Sequence, residues 1–413
     1  MEVQRHIERA RHLLNINRPA DAIKEINAGL VLEPQNTELL SIASSCYYET
    51  GEYERSMAFA RQWLNAEPDN PLVHYIMAIN YERTEKMDKA KSHIQQALAY
   101  DPTDADYWSA LASFYMPERD WNKMLEYAEK GLECDPEHPQ SLNYRNLALT
   151  KLGRADELQV GIEESLAANP DDAHTHATVG WTKLEIRKYK EARFHFAEAL
   201  RLQPHNNWAR SGMIEALKAK NVFYRLFLMY FFWIAKYQQQ SQYAIIIGIY
   251  IGTKVLRTAA KAVPILYIPY GILMFAAYLT WIIEPLFNLF VLIDRYGRYL
   301  LNRREKTGAL LVGCGVALAI ALGLTYLYNT NDLLLFPALF FATIVIPVAS
   351  FYGLDETSRN LKTIGIYTIV LAVLGIISVL LLVSKNDTGL ITGMLYLLGM
   401  WTFGWVANYL NTR

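Results

Sequence analysis

Cysteine is scarce. Cys46, Cys134 and Cys314 lie far apart in 413 residues, an odd count without a CxxC, which excludes a disulfide framework and a zinc ribbon. Cys314 falls inside an apolar run and reads as a small packing residue. Histidine is missing from the back half: all nine precede residue 206, and none opens an HExxH helix. His174 and His176, two residues apart on a helix, point to different faces, so no metal pair is expected there. Neither GxSxG nor a Walker A phosphate loop occurs. GCGVAL at 313–318 begins like a dinucleotide fingerprint but lacks its last glycine and a preceding strand. These absences argue against catalysis, a cofactor or a resident metal. The opening MEVQRHIERARHLL has no apolar core of signal-peptide length, so the front half is expected to stay in the reducing compartment where it is made.

Acidic charge is what the back half lacks. Residues 222–413 hold 14 Lys and Arg against 7 Asp and Glu, which leaves 26 against 34 for the front. The formal net charge of −1 therefore joins an acidic half to a basic, apolar one. Such asymmetry points to a membrane or a polyanion, and the long apolar runs decide for the bilayer over nucleic acid. A wholly soluble protein is excluded, and an aromatic content of 13% excludes disorder.

The front half repeats. Prolines stand at 34, 68, 102, 136, 170 and 204, a spacing of 34 each time, closing the phrases LEP, AEP, YDP, CDP, ANP and LQP. Four residues before each is a leucine: Leu30, Leu64, Leu98, Leu132, Leu166 and Leu200. Small residues recur five before, at Gly29, Ala97, Gly131, Ser165 and Ala199, with Trp63 the exception. Each unit is predicted to be two short helices, A and B, that approach closely through small residues. The proline cannot continue helix B and punctuates the turn into the next unit. No unit buries its apolar face alone, so the stack makes one core.

These residues resemble the tetratricopeptide repeat (TPR) family. In the sixth unit Gly180, Tyr189, Ala192, Phe196, Ala199, Leu200 and Pro204 fall on family positions; Trp108, Leu111, Ala112 and Tyr115 match the fourth. The fifth departs, with Arg145 and Asn146 where Leu and Gly are usual, and an irregular helix pair is expected there. The resemblance implies an all-α solenoid over 1–220, six helix–turn–helix repeats closed by a capping helix in NNWARSGMIEALKAK. It also implies a concave face lined by helix A. That lining collects Ser41, Ser45, Tyr48, Tyr75, Ser109, Ser113, Gln140, Asn143, Tyr144, His174 and Trp181. The surface is aromatic and neutral-polar, suited to a protein or peptide partner. A carboxylate clamp is not expected, since Arg11 at the edge is the one cation in the set.

The back half reads as membrane. Residues 222–237 hold seven aromatics besides Tyr237 and two cations, Arg225 and Lys236, which fall within about 20° of each other on a helix. An amphipathic helix lying in the interface is expected, its two cations at headgroup level. Apolar runs follow at 243–256, 264–283 continuing over 286–293, 308–328, 333–352, 364–383 and 389–410, about six spans within a 242–410 domain. Glu284-Pro285 is expected to break the second, and Glu284 is the candidate intramembrane polar site. The linker after it carries Arg295, Arg298, Arg303, Arg304 and Lys306 and should be cytoplasmic, as should Arg359, Lys362 and Arg413. NTND at 329–332 has no cation and the loop after 383 has Lys385, while Arg257 and Lys261 are discordant. Both termini are then inside, and a bacterial inner membrane is the expected home. Small residues four apart (Gly248 and Gly252; Gly315, Ala319 and Gly323; Gly389 and Gly393) suggest close packing, with a homo-oligomer as one use of it.

The expectation is a non-enzymatic, membrane-anchored scaffold that recruits a partner through its groove. The rival is a transporter or channel subunit with a regulatory TPR domain, which would draw on Glu284, Tyr250 and Thr280.

Overall fold

The computed structural model describes residues 2–16, 18–237, 239–329, 331–354, 358–384, 386 and 388–411, and all regular structure among them is helical. Thr330, Lys385 and Arg413, which enter the loop charges above, lie outside the described residues. The chain forms two compact units. The first holds residues up to Ala209 together with Phe232–Ser241, the second Arg210–Phe231 with Gln242–Arg413.

In the first unit every 34-residue period becomes a helix pair. The pairs are α1 (Glu2–Asn15) with α2 (Pro19–Leu32), α3 (Thr37–Glu49) with α4 (Tyr53–Ala66), α5 (Pro71–Arg83) with α6 (Met87–Tyr100), α7 (Ala105–Ser113) with α8 (Trp121–Cys134), α9 (Pro139–Leu152) with α10 (Ala155–Ala168), and α11 (Ala173–Glu185) with α12 (Tyr189–Leu202). Helices A also touch one another, α3 on α5, α7 on α9 and α9 on α11, while helices B make their main contacts with helices A. The A layer is therefore the inner one. A core cluster runs without a break from Leu40 to Val179.

Two local devices keep the register. Two places after each proline stands a residue whose side chain caps the next helix A. Asn36 accepts from the Leu39 amide, Asn70 from Leu72, Asp104 from Asp106, His138 from Ser141, Asp172 from Thr175 and Asn206 from Ala209. Such caps satisfy amides that the first turn leaves open, at about 1 kcal/mol each. The A-to-B turns at 51, 85, 119, 153 and 187 are left-handed, with φ of +79°, +58°, +54°, +75° and +67°. Glycine supplies two of them; Glu85, Arg119 and Arg187 adopt a conformation that costs a side chain about 1–2 kcal/mol.

The fifth pair is not irregular. α9 and α10 are full 14-residue helices. Asn146 donates to the Gly161 carbonyl at 3.1 Å and to Ser165 Oγ at 2.6 Å, and Arg145 pairs with Glu164. The small residue missing from helix A is supplied by helix B, as Gly161.

In the second unit α13 (Asn207–Lys218) is the expected helix after the last proline, but the boundary falls within it. Its apolar face past Ala209, Ile214 and Leu217, packs with Val291 and Leu301. α14 (Val222–Ala235) follows, then α15 (Gln239–Ala262), the end of the one from Phe232 and the start of the other up to Ser241 counting with the first unit, and then α16 (Tyr267–Ile293), the short α17 (Gly297–Leu300), α18 (Arg303–Asn329), α19 (Leu335–Gly353), α20 (Leu361–Val383) and α21 (Thr388–Asn411). By length and composition five stretches could cross a membrane: Pro264–Ile293, Arg303–Asn329, Leu335–Gly353, Leu361–Val383 and Thr388–Ala407. The run at 243–256 lies in α15, whose Lys254, Arg257 and Lys261 dilute its apolar character, and it is not one of the five.

α16 runs through Pro285 and does not break there. A helix packed in a bundle tolerates a proline, because neighbours re-satisfy the freed backbone groups. Gly315, Gly389 and Gly393 do serve close packing: a Cβ on Gly393 would sit 3.1 Å from the Phe336 ring. Around Gly248, Gly252 and Gly323 a Cβ would meet nothing.

Candidate functional site: the inner row of the repeats

Tyr75 on α5 lies against Tyr107 of α7, ring centroids 5.2 Å apart. Burial, reinforced by Asp106, holds the Tyr75 hydroxyl well above the usual phenol range, and burial pushes Tyr107 up to about 12. Both stay neutral hydrogen-bonding phenols. Tyr144 on α9 is half-buried and its hydroxyl meets Ser113. Ser109 and Ser113 donate back to their own helix, to the Asp106 and Ala110 carbonyls, and keep their oxygens as acceptors. Tyr48 accepts from Arg83 Nε at 3.2 Å and packs on Tyr53.

Asn143 stands out in this row. It is 4% exposed, and neither its amide nitrogen nor its amide oxygen has a partner in the described protein. A buried amide left open costs about 1–3 kcal/mol, and both of its atoms are closed off from solvent by their neighbours. An amide matches a peptide bond, since it donates and accepts at once.

His174 and Trp181 belong to a seam at the end of the repeats. Trp208 stacks on His174 at 5.3 Å and on Trp181 at 6.3 Å, and Trp181 meets Phe196 edge-on at 5.6 Å. The Trp181 indole N–H is buried without an acceptor. His174 is exposed.

Sequence reasoning missed three residues here. Arg83 puts a cation beside Tyr48, because the thirteenth position of a unit lies about one helical step beyond the twelfth. Arg11, the cation foreseen, is taken by Glu38 at 2.7 Å. Arg119 and Trp121, at the α7–α8 turn, hold the first unit's 232–241 segment: Arg119 Nη1 donates to the Tyr237 carbonyl at 2.5 Å and Trp121 Nε1 to that of Lys236 at 2.8 Å. Lys236 thus contributes its backbone in the first unit. Arg225, in the second, donates to the Ala219 carbonyl at 2.7 Å, and α14 buries Tyr224 and Leu228. In the second unit Glu284, Tyr250 and Thr280 all lie on exposed helix faces. One turn on, Asn288 is buried with its Oδ1 unpaired.

Two histidine pairs repeat three periods apart. His74 and His93 meet through Nδ1 atoms 3.2 Å apart, as do His176 and His195. His74 and His176 also reach the Pro68 and Pro170 carbonyls through Nε2, at 2.9 and 3.0 Å. A carbonyl only accepts, so Nε2 carries the proton and Nδ1 is bare, accepting from His93 or His195. Added protons break this arrangement. Burial first, then the partner histidine, lowers His93, and the same causes take His195 down to about 4. An unfolded histidine titrates near 6.5. Between those values the unfolded chain binds more protons, so this stability is complete above about pH 6.5 and is lost as pH falls towards 4. The melting midpoint of the repeats is expected to drop from pH 7 to pH 5, and the drop to shrink in an H93Q/H195Q variant. A midpoint flat over that range refutes the assignment.

TPR family models match residues 7–71 and 51–114. The chain is 24% identical over 183 residues to anaphase-promoting complex subunit 3 of Schizosaccharomyces pombe, covering 44% of this chain and 28% of that protein. It is 21% identical over 183 residues to human protein O-mannosyl-transferase TMTC1, covering 43% of this chain and 20% of that one. It therefore spans less than a third of either relative. Among solved structures, the hetero-tetramer Cut9-Hcn1 of the APC/C aligns over 52% of this chain and 43% of its own at 15% identity, with a TM-score of 0.47. Residues 7–114, within the front half, match tetratricopeptide repeats, which supports a protein-interaction scaffold.

Proposed function

We propose that the protein is a membrane-anchored, non-catalytic adaptor that recruits a protein or peptide partner through the inner row of its repeats. The observation that carries this is Asn143, a buried amide with both atoms open beside Tyr144. An extended peptide that displaces the side chains covering Asn143 would satisfy it through one backbone amide, with Tyr48, Tyr75 and Tyr144 stacking on side chains. Ser109 and Ser113 add acceptors, and His174 and Trp181 close the row.

The test is Asn143→Leu in the full-length protein, with partners captured from detergent extracts. An apolar side chain removes the open amide, so the free protein should be as stable as wild type or more so. Affinity for the partner should fall by about 1–3 kcal/mol, as it should for Tyr75→Ala. Unchanged affinity in both variants, with the fold intact, refutes the groove.

The bilayer is the second partner in this reading. α15, α16 and α18–α21 serve as spans, and Arg225 and Lys236 sit at the interface. In this reading the repeats are cytoplasmic and the membrane is a bacterial inner membrane. Within the second unit Arg210 bonds the Leu300 carbonyl and Glu305, and Lys220 pairs with Asp294. Residues 210–220 and the basic linker 294–306 then share a side, which requires an even number of crossings between them. α16 is one; α15, 24 residues and about 36 Å long, supplies the other. That makes six crossings and puts the end of α21 inside. A Tyr299→Cys protein should resist an impermeant thiol reagent in intact cells and react after lysis. Reaction from outside reverses the orientation.

A further inference from the structure

The basic linker between α16 and α18 does more than set orientation: we infer that it is a binding site for the headgroups of anionic phospholipids. This rests on the membrane reading of α16 and α18. Both of its carboxylates are already used, Asp294 by Lys220 and Glu305 by Arg210. Arg304 is drawn into the bundle, donating to the Phe351 carbonyl at 2.7 Å with its guanidinium 4.8 Å from the Phe351 ring. Arg295, Arg298, Arg303 and Lys306 remain, and among the described residues none of them meets a carboxylate. The three arginines are exposed. Arg298 lies over the ring of Tyr299 at 4.9 Å, held by its hydroxyl at 2.9 Å.

Four cations without a carboxylate in so short a stretch repel one another, and a bound anion would relieve that repulsion. The neighbouring residues say which. Tyr296 and Tyr299 are 75% and 74% exposed, and Ile293, the last residue of α16, is 84% exposed. A bare apolar residue, then tyrosines, then arginines is the sequence of environments met on leaving hydrocarbon for headgroups. The linker is confined to that depth from both ends, because α16 is apolar up to Ile293 and α18 turns apolar from Ala309. An exposed tyrosine gains there by burying its ring while its hydroxyl stays wet. Arginine forks match phosphodiester oxygens. A phosphoglycerol headgroup leaves the site a net negative charge, whereas phosphocholine cancels its own.

The test uses the full-length protein in detergent micelles, titrated with phosphatidylglycerol, with phosphatidylcholine and with inorganic phosphate. Phosphatidylglycerol should bind more tightly than phosphatidylcholine. Arg295→Gln alone should weaken it about fivefold, the factor that ~1 kcal/mol per basic residue near an anionic surface implies. R295Q/R298Q/R303Q should erase the preference, and the three Arg→Lys changes should keep it. An unchanged melting midpoint in the single variant shows that loss of binding is not loss of fold. Equal affinity for the two lipids overturns the inference, as does a triple Gln variant that binds like wild type. Displacement of the lipid by inorganic phosphate assigns the site to free phosphate instead. Wild-type protein that washes off membranes in alkaline carbonate refutes the anchor alone; the micelle titration still decides the headgroup site.

Discussion

Phe196→Ala is expected to destabilise the repeats by about 3–5 kcal/mol, the cost of emptying a fully packed phenylalanine site. Phe196 is 0% exposed. Its ring fills a hole made by the absence of a side chain across the helix pair: a Cβ on Gly180 would lie 2.7 Å from it. Trp181 closes the hole edge-on at 5.6 Å. Neither neighbour can collapse into the void, because Gly180 has no side chain and Trp181 is held by Trp208. In a linear stack each repeat is stabilised by the next, so the loss spreads beyond the sixth unit. Chemical denaturation followed by helical signal measures it. A loss under ~1 kcal/mol would mean that the pair repacks, contrary to a rigid knob in a glycine hole. Gly180→Ala, which adds the missing methyl, should also destabilise, from the opposite side of the same contact.

This contact was legible in the sequence, since Gly180 and Phe196 both stand on positions of the 34-residue register. The period fixed the helix pairs because proline acts locally, stopping helix B whatever surrounds it. The caps two residues after each proline were equally local and could have been read from Asn36, Asn70, Asp104 and Asp172. His138 could not, because histidine seldom caps. The fifth pair was obscured for a different reason. Its small residue moved from helix A to Gly161 on helix B, so the complementarity survives while the positional pattern does not.

The inner row was legible in outline only. Helical spacing selects a face, but not which side chains on it are used internally. Trp181 shares that face and packs on Phe196 and Trp208; Asn143 shares it and is left open. Burial without a partner depends on every neighbour at once. The break expected at Pro285 failed because proline's penalty depends on surroundings that the apolar run alone does not reveal.

Lys218→Met is the other large expected effect. Lys218 is 1% exposed, and its ammonium pairs with Glu215 Oε1 at 2.9 Å. Glu215 Oε2 accepts from the Tyr224 hydroxyl at 2.5 Å, and that ring lies 4.9 Å from Phe287 of α16. A buried pair adds little net stability, because desolvation of two charges offsets their attraction. Removing one partner is different: it leaves a carboxylate, 21% exposed, with a single neutral donor, at a cost of up to about 3 kcal/mol. Lys218→Met should therefore destabilise the second unit strongly. Adding Glu215→Leu should recover most of the loss, since nothing charged then remains buried. A double variant no more stable than the single one would show that the pair acts by packing, not charge. The network joins α13, α14 and α16 through one carboxylate. Buried polar groups of this kind fix geometry more than they add stability. If that holds here, the rescued double variant should fold, insert and still lose the fixed entry of α14 into the bundle. Spin labels at the exposed Phe223 and Phe290 would report that loss as a broadened distance distribution.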